Sequence, residues 1–138
     1  MKKLIIGLLA SFLMATGLVA FSGTSATAAC PYTACVATKT TVKAPGSVRV
    51  KKKAAITVTV KPTRAGNGVV RGNVVVTIKK NGGGFSQTLR GAYGGKAKKF
   101  TTRALNKVGA YKVTVKFTPA KNSIYKASNR SKTFRVKK

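Results

Sequence analysis

From Gly109 to Phe117 the chain alternates without a break: Tyr111, Val113, Val115 and Phe117 share one parity, and Lys112, Thr114 and Lys116 share the other. Successive side chains of a strand point to opposite faces, so this run is a half-buried β-strand with cations on its wet side. The same period of two returns in Ala54 to Val60, where Ile56, Val58 and Val60 point inward, and in Gly72 to Lys80, where Val74, Val76 and Ile78 do. Turn residues recur at strand-length intervals, at Ala44-Pro45-Gly46, Pro62 to Gly68, Asn81 to Gly84 and Gly94-Gly95. Helical periodicity is absent. The pattern predicts an all-β domain, with further strands over Thr38 to Val42 continued by Ser47 to Val50, over Phe85 to Arg90 as the second arm of a hairpin, over Lys96 to Arg103, and over a last strand with Phe134 and Val136 inward.

The cations on these wet faces meet no acidic side chain of their own chain. At average usage a chain of this length carries roughly sixteen carboxylates. This one has Lys+Arg 28 against Asp+Glu 0, a formal net charge of +28. A surface of one sign attracts polyanions, and it also serves solubility alone; composition supports both readings. With Asp, Glu and His all missing, the usual general acids and bases, carboxylate nucleophiles, hard-metal ligands and His-based triads are missing too. The expectation is therefore no enzyme, no cofactor and no small-molecule substrate. No side chain titrates between about pH 3 and pH 7. Folding stability at fixed salt is accordingly expected to stay level through that range, because neither state takes up side-chain protons there. A melting temperature that drops steeply between about pH 6 and pH 4 would refute this electrostatic account.

The N-terminus reads as a targeting segment. Lys2 and Lys3 precede an apolar run from Leu4 to Phe21, and Ala26-Thr27-Ala28 supplies an A-x-A cleavage site. The expected division is a signal peptide over residues 1–28, a short Cys-containing segment over 29–37 and one folded domain over 38–138. A retained membrane anchor is the competing reading, since the apolar run is nearly long enough to span. Cys30 follows the cleavage site closely, which raises lipid attachment, although Thr27 stands where a lipobox usually has Leu. Export to an oxidising space favours a small disulfide between Cys30 and Cys35. The expected location is extracellular, with envelope association by charge.

At Leu105 to Val113, LNKVGAYKV, a leucine precedes Gly-x-Tyr-x-Val. This stretch resembles the corner leading into strand F of immunoglobulin-like sandwiches, where a tyrosine hydroxyl bonds back to the preceding turn. Gly72 to Val76, Gly95-Lys96-Ala97 and Tyr125 extend the resemblance, over about residues 38–138, to the bacterial Ig-like repeats of secreted and surface proteins. The resemblance implies a single Ig-like antiparallel β-sandwich with Tyr111 as its structural corner. It also implies a structural, adhesive or binding role. Two departures stand out: Lys107 occupies a position where the family often has an acid, and the core cysteines are missing.

In that topology the turns after the first, third and fifth core strands share one end with the C-terminus. Lys51, Lys52, Lys53, Lys79, Lys80, Lys107, Lys137 and Lys138 would then form a lysine-rich pole, the candidate polyanion-binding site. The opposite end would hold only Arg64 and Lys121, with Lys61 nearby. The chain has 21 Lys and 7 Arg, and lysine acts as a hydrated point charge where arginine gives planar, bidentate readout. Sequence-specific nucleic-acid recognition is therefore not expected. The candidate partners are anionic envelope polymers such as teichoic acid, acidic polysaccharide, anionic lipid or extracellular DNA bound by charge, and a surface protein. Two functions follow: a secreted, non-enzymatic Ig-like module, or a cationic effector whose charge is its activity.

Overall fold

The computed structural model describes residues 35–66 and 68–138. The segment read as a signal peptide, with the alternatives for it, and Cys30 lie outside the described residues. Eight strands form two sheets: β1 (Thr38–Lys43), β3 (Ala55–Pro62) and β6 (Lys98–Thr101) make one, in the order β1-β3-β6. The other has the order β2-β8-β7-β4-β5 and comprises β2 (Ser47–Arg49), β4 (Arg71–Lys80), β5 (Ser86–Gly94), β7 (Gly109–Pro119) and β8 (Ser128–Lys137). The inward residues of both sheets meet in one core that includes Val42, Ile56, Val58 and Phe100 from the smaller sheet and Val74, Val76, Val113, Val115 and Phe117 from the larger. The period of two in the sequence thus marks the buried face of each strand, since only one parity reaches the core.

Two departures from the sequence reading have physical causes. Ser47 to Val50 does not continue β1. The break at Ala44-Pro45-Gly46 lets the chain cross to the other sheet, where β2 runs parallel to β8 with Val48 opposite Val136. The domain is therefore not wholly antiparallel. Strand β5 runs on to Gly94 rather than stopping at Arg90, because its ladder with β4 continues to Arg71 opposite Gly94; on the way, Gly91 leaves room for the Lys98 side chain, whose Nζ lies 2.8 Å from where a Cβ would stand. The Lys98 ammonium then donates to the Ala92 carbonyl at 2.7 Å. At the other end of the same edge, the Arg103 guanidinium stacks 4.8 Å from the Phe85 ring and donates to the Ser86 carbonyl at 3.1 Å. Two cations thus cover carbonyls along an edge strand that would otherwise offer its backbone to another chain.

Tyr111 ties the entrance of β7 to the core. Its hydroxyl donates to the Lys107 carbonyl at 2.7 Å, and its ring stacks on Phe134 at 5.5 Å and meets Phe85 edge-on at 5.4 Å. Gly82, Gly83 and Gly84 all have positive φ, between 77° and 82°, which turns β4 into β5 at little steric cost.

Candidate functional site

The turns expected to share an end do so, and backbone hydrogen bonds hold them there. Lys51 donates its N–H to Leu105 O at 2.8 Å, Leu105 N–H returns to Lys52 O at 3.0 Å, and Val50 N–H reaches Lys137 O at 2.7 Å. On the same end, Asn81 N–H bonds Ala110 O at 2.9 Å, and the Lys107 ammonium lies over Gly84, 2.8 Å from where its Cβ would be. Lys51, Lys52, Lys53, Lys107, Lys137 and Lys138 are exposed. Lys51 holds a φ of 64°, a left-handed conformation that costs a non-glycine residue roughly 1 to 2 kcal/mol. Lys80 also ends here, with its ammonium donating to Asn81 O at 3.3 Å.

Lys79 does not belong to this cluster. Strand alternation turns it onto the outer face of the larger sheet, directly opposite Lys112. Nor is the charge confined to one end. The register that pairs Lys39 with Lys61 and Arg71 with Gly94 carries Lys39 and Arg71 to the opposite end. Lys96, in the turn before β6, and Lys126, before β8, add to it. The sequence reading counted only the loops Pro62 to Gly68 and Pro119 to Asn122 at this end, and so missed Lys39 and Arg71 on strands and Lys96 and Lys126 in other turns. Cys35 is disulfide-bonded; Cys30, its expected partner, lies outside the described residues.

The outer face of the larger sheet gathers residues that no single segment brings together. Thr88, Thr77, Thr114 and Ser131 stand in register across β5, β4, β7 and β8, forming a row of hydroxyls. The Thr114 and Ser131 hydroxyls lie 3.2 Å apart. On one side of this row Lys79 faces Lys112; on the other, Arg90 and Lys116 flank Val75. A shallow groove of about 350 Å³ is lined by Thr77, Lys79, Lys112 and Thr114. The outward parity of Lys112, Thr114 and Lys116 was visible in the sequence, whereas their neighbours across the sheet were not.

No family model and no curated relative matches this sequence. Among solved structures, the chain is similar to superoxide reductase (neelaredoxin) from Ignicoccus hospitalis, with a TM-score of 0.50 and 18% identity over 71% of this chain and 80% of that one. Two variants of the same reductase agree, with TM-scores of 0.51, identities of 16% and 19%, and coverage of 71% and 75% of this chain against 79% and 82% of theirs. At such identities the likeness defines the fold class.

It nevertheless corrects the family reading. The folds that match are those of a reductase, and no family model supports membership among bacterial Ig-like domains. Gly-x-Tyr-x-Val reports a local event, a strand entered through a tyrosine-to-turn hydrogen bond, and that event does not single out a family. The expectation of a non-enzymatic module is corrected with it, because the matching fold is carried by an enzyme. Lack of Asp, Glu and His removes particular catalytic groups; it leaves Ser, Thr, Tyr, Lys and thiol chemistry open, so composition did not license the wider exclusion.

Proposed function

We propose that this chain is exported through the leader at residues 1–28 and binds anionic polymers of the cell envelope by charge. The observation that carries the reading is the unrelieved charge itself: 28 cationic side chains, all but Lys2 and Lys3 outside the leader, and no acidic side chain. Many of them stand on hydrogen-bonded turns and strands rather than in a tail, so they keep fixed spacings. Lys51 lends support. Its left-handed turn position would suit glycine better, yet a lysine occupies it. The turn cluster of Lys51, Lys52, Lys53, Lys107, Lys137 and Lys138, with Lys80 beside it, supplies one contact surface.

Retention on immobilised heparin tests the reading. The wild-type chain is expected to elute only well above physiological salt, with the logarithm of affinity falling linearly as the logarithm of salt rises. Passage through the column at about 0.15 M salt, near the physiological screening length, would refute it.

Superoxide reduction, the activity for which the structurally similar reductases are named, is a second reading, favoured by the shared fold. The residues do not fit a resident metal: Asp, Glu and His are missing from the sequence, and among the described residues no group of three ligating side chains forms. Superoxide consumption by the purified chain, measured beside the retention assay, decides whether that activity accompanies the fold.

A further inference from the structure

We propose that the outer face of the five-stranded sheet is a binding site for a linear polyol-phosphate polymer, seated along β7 between the Lys79–Lys112 pair and the Arg90–Lys116 row. The proposal rests on the polymer-binding reading above and names its surface and its ligand class.

The first argument is the placement of like charges. Lys79 and Lys112 are direct cross-strand partners. Like charges so placed repel, and a sheet gains more from threonine or an aromatic at such positions. Elsewhere an Asp or Glu could relieve the pair, but this chain has no acidic side chain. The anion that relieves it must come from outside. The backbone bond between Asn81 and Ala110 makes every second pair of this ladder a hydrogen-bonded one. That series includes Lys79 with Lys112 and Thr77 with Thr114, so the two lysine Cβ atoms stand about 5.5 Å apart. One phosphate can accept from both ammonium groups.

The second argument is periodicity. Lys112, Thr114 and Lys116 follow one another on the same face at steps of about 7 Å, which sets the two lysines about 14 Å apart with a hydroxyl between them. The row of Thr88, Thr77, Thr114 and Ser131 crosses the sheet at that midpoint. Hydroxyls both donate and accept, which suits the ester oxygens and free hydroxyls of a polyol linking one phosphate to the next.

The third argument is what the face lacks. Tyr93, Tyr111, Phe117 and Phe134 are all buried on the core side. The outward positions of β4, β5, β7 and β8 therefore hold no ring on which a base could stack. Lysine and threonine recognise phosphate without reading what hangs from it.

Binding of fluorescein-labelled poly(glycerol phosphate) to the full chain, followed by anisotropy from about 0.05 to 0.3 M salt, tests this. Two variants are compared with wild type: Lys79→Gln/Lys112→Gln on the face, and Lys51→Gln/Lys52→Gln/Lys53→Gln at the turns. The face variant is expected to bind at least tenfold more weakly at low salt, with the slope of log affinity against log salt shallower by about 0.7, the share of the one phosphate that both ammonium groups hold. The turn variant, although it loses one charge more, is expected to stay within threefold of wild type. Added polymer should raise the melting temperature of wild type and of the turn variant but not that of the face variant, which by itself should melt no lower than wild type because it loses a repulsive pair. Equal or greater loss in the turn variant would overturn the face site while leaving the heparin result, and so the polymer reading, intact. Failure of wild type on both polymers would overturn both. Tighter binding of a single-stranded DNA oligonucleotide than of the polyol phosphate, lost in the face variant, would overturn the ligand assignment.

Discussion

Gly72→Ala is expected to destabilise the domain by more than about 3 kcal/mol, at the upper end of what overpacking costs, against a total of about 5 to 15 kcal/mol for a domain. Gly72 sits in β4 opposite Pro119 of β7. A Cβ there would run into the Thr118 carbonyl oxygen, and would stand 2.8 Å from both Phe117 Cε2 and Pro119 Cα. A flexible side chain could move aside. Two of these neighbours are backbone of the strand that pairs with β4, and the third belongs to a ring with no exposed surface. The strands can only part at that point, which opens the ladder beside the core. Urea unfolding followed by circular dichroism would read the loss as a lower midpoint at unchanged slope. A midpoint within experimental error of wild type would mean that β4 and β7 are not packed in this register.

Tyr111 carries the second large effect, and its substitutions separate ring from hydroxyl. Tyr111→Ala removes the ring that stacks on Phe134 and meets Phe85, and is expected to cost about 4 kcal/mol. Tyr111→Phe keeps the ring and removes only the donor to the Lys107 carbonyl, for about 1 to 2 kcal/mol. The hydroxyl also has a signature in pH. Burial pushes the Tyr111 phenol above its ordinary value of 10.0. Above about pH 10 the unfolded chain gives up this proton while the folded one still holds it, so the unfolded state binds fewer protons and stability falls as pH rises. That part of the stability is fully present below about pH 10 and is lost through the folded pKa. The gap between wild type and Tyr111→Phe should therefore narrow between about pH 10 and pH 12. A constant gap would mean that the phenol titrates alike in both states.

How much of this was legible beforehand depends on the distance over which each feature is decided. Ile56, Val58 and Val60, or Val113, Val115 and Phe117, announce their burial through their own spacing, because the pleat alone sends alternate side chains to one face. The bond from Tyr111 to Lys107 spans four residues and was likewise legible. Its family meaning was not, since short local geometry recurs across unrelated sandwiches. The change of sheet at Ala44-Pro45-Gly46 left a visible break, but which sheet β2 would join depended on Val136, at the far end of the chain. The candidate site divides in the same way. The turn lysines were found by counting and end up on one end of the molecule, whereas the expected poverty of charge at the other end failed once register carried Lys39 and Arg71 there.

Composition and alternation were enough to make this an all-β chain with a Val-rich core and a surface of a single sign, because both follow from the identity and parity of residues taken a few at a time. That Lys79 should stand against Lys112, with Thr77 against Thr114 beside them, follows from neither segment alone. Each pair joins strands far apart in the chain, and which strands become neighbours, and in what register, is settled by the burial of both sheets against one shared core. The lysines of β7 were unpartnered in either description. The fold puts a second lysine opposite the first of them, and so turns a missing partner into a place for one.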